Sequence, residues 1–169
     1  MPRRLLHRIG PDSIAEFRNA AQERYQDGVA LAIAGQRTGA IYLWGYVAEM
    51  TLKAAYFTFL QFPANQSLHM RPHLRDAIDR GRQTFNIAWP PQGDGHNVRA
   101  WAELLVAERA VAPQGAYSTN FAIELQRRGQ RIEPLWREIL RYRKNLAYVY
   151  EVNQVQEAVE WLLGNSHQL

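Results

Sequence analysis

Glu49 and Lys53 stand four residues apart in an otherwise apolar stretch, the spacing at which a carboxylate meets an ammonium on one face of a helix. Such a pair can be buried to fix how helices register, or it can sit in a cleft and act as a catalytic couple; the register role is preferred. Later in the chain, Arg141-Tyr142-Arg143-Lys144-Asn145 gathers two guanidiniums and an amide, with Tyr148 and Tyr150 just beyond. These residues could be a helix end that hydrogen-bonds to loops. If they form a site with the ion pair, the economical arrangement is a polar pocket lined by Glu49, Lys53, Arg141 and Asn145, with Tyr148 or Tyr150 at its rim. His69 and His73 have the spacing of a helical metal pair, but Pro72 between them puts a helix start there and no third ligand is evident. No metal and no cofactor is therefore expected. Arg71, Arg75, Arg80 and Arg82 make a basic face, read as solvated surface in preference to a phosphate-binding one.

The element that must position the ion pair spans residues 38–62, which contain no proline and repeat apolar residues at helical spacing on more than one side. This is the expected core helix. It is long enough to cross the roughly 30 Å of bilayer hydrocarbon, but Glu49 and Lys53 fall near its centre, where a charge is costly. A bundle in water is preferred, with no membrane partner.

The 169 residues, 47% hydrophobic and 21% charged, fit one domain with a real core and exclude a wholly disordered chain. The absence of cysteine removes disulfides, zinc-thiolate sites, iron–sulfur clusters and thiol nucleophiles together. Arginine-rich residues 1–8 lead into Ile9, Gly10 and Pro11 and not into an apolar signal core, so a cytoplasmic location is expected. A net charge of +4 permits a mild attraction to RNA or nucleotide phosphates without implying it.

Ser13 with Glu16 is a capping-box pattern that opens a first helix running to about Ala34, closed by Gly35. A short turn then makes the first two helices an antiparallel hairpin. A third helix is expected from His73 to about Ala88, and a proline- and glycine-rich loop follows at 89–95. His96 precedes a fourth helix with Asn97 as N-cap, and a short fifth ends near Gly129. Pro134 opens a helix carrying Leu135, Trp136, Ile139, Leu140 and the Arg141–Asn145 cluster. Asn153 with Gln156 caps a last amphipathic helix stopped by Gly164. The fold class is all-α, an antiparallel bundle of about five to seven helices in a single domain over residues 1–169, with no alternating strand pattern.

Three segments, taken in order, resemble the HEPN family of helical domains. The first carries Gly45-Tyr46, Glu49 and Leu52-Lys53; the second, His96 ahead of Trp101 and Leu104; the third, Trp136 and Arg141-Tyr142, followed by an apolar last helix ending Trp161-Leu162-Leu163. Many members are metal-independent ribonucleases whose motif is an Arg followed, several residues on, by a His; the imidazole moves the ribose proton while the arginine holds the phosphate. Here Arg141 and Arg143 stand before Tyr148, so a tyrosine occupies the histidine position, and a phenol of ordinary pKa near 10 is a poor base at neutral pH. The resemblance thus implies a binding or regulatory domain without nuclease activity. It also implies a homodimer paired through the region of Arg141 to Tyr150, and an RNA, nucleotide or nucleotidyltransferase partner of toxin–antitoxin type. Binding residues would be Glu49, Lys53, His96, Arg141, Arg143, Asn145 and Tyr148. The alternative is a ribonuclease in which His96 replaces the lost base and Arg141 or Arg143 binds phosphate. Many large aromatic side chains for a chain of this size point to the same shared surface.

Overall fold

Ser13 opens the first helix as its type demands: its hydroxyl accepts the N–H of Glu16 at 3.1 Å, and α1 runs Ile14–Ile33. Gly35, at φ 75°, takes the left-handed turn that leads into α2, Arg37–Phe59. The computed structural model describes residues 12–90, 95–113 and 115–169, so the reading of residues 1–8 and the middle of the 89–95 loop lie outside the described residues. α2 is buried on almost every side, from Thr38 through Trp44, Leu52 and Phe57. It stops three residues before the expected Phe62. Gln61 takes φ 62°, and the N–H of Phe62 reaches back to the carbonyl of Phe57 at 3.0 Å while that of Gln61 reaches Thr58 at 2.9 Å. That is a Schellman cap, sealed by the Phe57 and Phe62 rings 5.4 Å apart.

After an irregular turn at Met70–Leu74, α3 spans Arg75–Phe85 and ends at Asn86, also left-handed, short of the expected Ala88. α4 (Val98–Val111) is capped by Asn97, whose side-chain oxygen accepts from Ala100 N–H at 2.8 Å. α5 (Thr119–Ile132) begins at the Ser118 cap and runs past Gly129, where a shorter helix was expected.

Two expectations near the C-terminal end are corrected. The helix expected from Pro134 is only a 3-10 turn, Glu138–Tyr142, because Arg137 is extended (φ −151°, ψ 154°) and Trp136 is drawn sideways onto α2. Trp136 fits there because residue 45 is glycine: a Cβ at Gly45 would lie 2.0 Å from the indole, whose N–H donates to the Tyr42 carbonyl at 2.9 Å. The last helix, α6 (Val149–Gly164), starts four residues ahead of Asn153. Its cap works from inside, the Glu151 carboxylate accepting the Tyr148 N–H at 2.7 Å.

α1 and α2 pack as an antiparallel hairpin, α6 lies along α2, α4 packs on α2 from another side, and α5 bridges α4 and α6. Tyr25 ties α1 to α6 through Glu160, its hydroxyl donating at 2.7 Å. The buried side chains form one cluster with no strand among the described residues, and no helix there is long and apolar enough to cross a membrane. Trp44, Trp89, Trp101 and Trp136 are all buried, and of the many large aromatic side chains Tyr142, Tyr148 and Tyr150 stay exposed.

Candidate functional site

Glu49 and Lys53 are buried together on α2, and the Lys53 ammonium donates to Oε1 of Glu49. The second carboxylate oxygen is taken by a residue from the start of α4: His96 Nδ1 lies 2.8 Å from Glu49 Oε2. A carboxylate only accepts, so Nδ1 carries the proton and Nε2 points the other way, toward Glu138 Oε1 at 4.0 Å. Gly95 and Trp101 deliver His96 to this place. Gly95 takes φ 82°, a turn that favours glycine, and the Trp101 indole N–H donates to its carbonyl at 2.7 Å. The Trp101 ring also faces Lys53, 5.7 Å from the ammonium.

The bond to Glu49 holds the His96 pKa above its ordinary value; burial and Lys53 oppose this, while the Glu49 and Glu138 charges add to it. Tyr46 packs edge-on against both His96 (6.0 Å) and Trp136 (5.2 Å). Its own hydroxyl is pushed up, first by burial and then by Tyr42. Chemically, the cluster is a partly exposed imidazole oriented by a carboxylate, with a second nitrogen able to give or take a proton. Residues from all three segments singled out in the sequence, Gly45, Tyr46, Glu49, Lys53, His96 and Trp136, meet here.

The remaining site residues do not join this cluster. Asn145 is a cap for a distant helix: its side-chain oxygen accepts the Thr38 N–H at 3.1 Å and its amide donates to the Gly35 carbonyl at 2.7 Å. The Thr38 hydroxyl in turn accepts from the N–H groups of Leu146 (2.7 Å) and Ala147 (2.9 Å). Arg141 is exposed and lies over its own neighbour, the Tyr142 ring, at 4.6 Å. Arg143 and Tyr148 line a separate cleft of about 230 Å³ with Thr38, Ile41, Leu135 and Leu140. His73 accepts the His69 N–H on Nδ1 at 3.0 Å, and no group of three metal-ligating His, Asp or Glu side chains gathers among the described residues.

Sequence reasoning missed Glu138, which faces His96, and the buried carboxylate Glu108, paired with Arg80. The second was findable, because Glu108 falls on the stripe Trp101, Leu104, Leu105 that α4 turns to the core. No protein-family model, no curated protein and no solved structure matches this chain.

Proposed function

We propose that this chain is a HEPN-like binding or regulatory domain that works in the cytoplasm as a homodimer, engages a nucleotide, RNA or a nucleotidyltransferase, and has no nuclease activity of its own. One observation carries the reading. Of the ten exposed large apolar side chains among the described residues, six lie between 139 and 150: Ile139, Tyr142, Leu146, Tyr148, Val149 and Tyr150. A concentration of this kind is characteristic of a surface that meets another molecule. Arg141, Arg143 and Lys144 interleave it with positive charge, and the 230 Å³ cleft opens beside it. A two-fold axis through this strip would repeat each contact and bury the tyrosine pair Tyr148 and Tyr150, stacked 5.8 Å apart, twice over.

The test is the solution mass by light scattering over a range of protein concentrations, for wild type and for Tyr148→Asp. Tyr148 is the N-cap of α6, where aspartate is favoured, so the substitution should leave the helix intact while charging the face. A dimeric wild type and a monomeric, folded variant are expected. A wild type that stays monomeric at high concentration removes the shared face.

A second reading rests on His96. Its oriented imidazole suits general acid or base work, as in a ribonuclease with a displaced catalytic residue. Mixed RNA incubated in EDTA with wild type, His96→Ala and Arg143→Ala separates the two. No cleavage by any of the three is expected, and cleavage lost in both variants would favour the enzyme.

A further inference from the structure

Where α2 ends, two clefts of about 330 and 310 Å³ adjoin, and Leu60 and Arg80 line both. Arg80 is half exposed, yet it is held as few surface arginines are. Glu108, 3% exposed, accepts its Nε–H on one carboxylate oxygen and an Nη2 proton on the other at 2.9 Å. The Phe85 ring supports the guanidinium at 5.4 Å. A buried carboxylate left without its partner is costly, so this grip fixes the guanidinium before any ligand arrives. Only one edge of the fork is used. The end edge, Nη1 with the second Nη2 proton, has no partner among the described residues and presents two parallel donors, the geometry that matches an oxyanion.

The surroundings define what could carry that oxyanion. Tyr56, Phe57, Leu60 and Phe62 give one cleft apolar walls, with the His73 ring edge-on to Phe62 at 5.2 Å. Because His73 Nδ1 already accepts the His69 N–H, its ring proton sits on Nε2 as a further donor. Asp76 lines the same cleft and repels a second negative charge, which disfavours a phosphate dianion against a single carboxylate.

We propose that the clefts meeting at Arg80 bind an aromatic carboxylate, its carboxylate on the free edge of the guanidinium and its ring between Phe62 and Leu60. The site is separate from residues 139–150 and does not depend on the dimer.

Amide shifts of the isotope-labelled protein, followed during titration with benzoate, benzyl alcohol and phenyl phosphate, test the proposal. Benzoate should give saturable shifts in residues 59–62, 73–80 and 108–112, and should bind more tightly than either other probe. Arg80→Lys keeps a cation opposite Glu108, and so keeps the fold, but lacks the fork; it should weaken benzoate by at least about tenfold. The proposal is overturned if benzoate produces no saturable shifts, if Arg80→Lys binds it as wild type does, or if benzyl alcohol or phenyl phosphate binds as well.

Discussion

Glu49 is a single carboxylate that answers two donors, the Lys53 ammonium from its own helix and the His96 ring from the turn ahead of α4. Its replacement by glutamine keeps the shape and removes the charge, leaving the buried Lys53 ammonium without a charged partner. Glu49→Gln should cost about 3–5 kcal/mol in urea unfolding, and Glu49→Gln/Lys53→Met should recover part of that loss. His96 adds a pH dependence of known sign. Its folded pKa lies above the unfolded one, so its stabilisation is complete below about 6.5 and fades as pH rises through the raised value. The urea midpoint should therefore fall as pH rises above about 6.5, with a smaller fall in His96→Gln. The i, i+4 ion pair could be read in the sequence because its spacing is local. The His96 contact could not, since it depends on how the start of α4 meets α2. Arg141 and Asn145 look like pocket residues in the sequence, but the extended Arg137 turns their segment away to cap α2.

At the level of elements, the sequence is most legible where a helix announces its own ends. Ser13, Asn97, Gly35 and Gly164 did so, and α1, α4 and the stop of α6 lie where these residues put them. Two of the misplaced boundaries, the start of α6 and the end of α2, share one cause: caps made by residues that do not usually make them. Tyr148 opens α6 through Glu151, and Gln61 closes α2 in a left-handed conformation that costs an L residue about 1 kcal/mol. Gln61→Gly should relieve that strain and raise stability by up to about 1 kcal/mol, read as a higher urea midpoint with an unchanged slope. The 3-10 turn is a different failure. Residues 134–145 carry a helical apolar pattern, but Trp136 gains more from lodging over Gly45 than the segment gains from continuing as a helix.

For the molecule as a whole, composition and periodicity were enough for an all-helical bundle around α2, because a helix apolar on several sides must be surrounded by others. They were not enough to say which aromatic groups stay outside: four of the five tryptophans are consumed by the core, Trp44 over Gly28 among them, and it is the tyrosines at 142, 148 and 150 that remain exposed. The clasp between Asn145 and the start of α2 joins positions 107 residues apart along the chain. An α1–α2 hairpin that leaves the ribosome before Asn145 has been made therefore lacks the group that closes its second helix, and that helix stays frayed at its beginning until Asn145 follows. The order of events should be visible in the folded state as well. Asn145→Ala should speed hydrogen exchange at the Thr38 amide through local opening, while amides at the middle of α2 keep the slow exchange that only global unfolding permits.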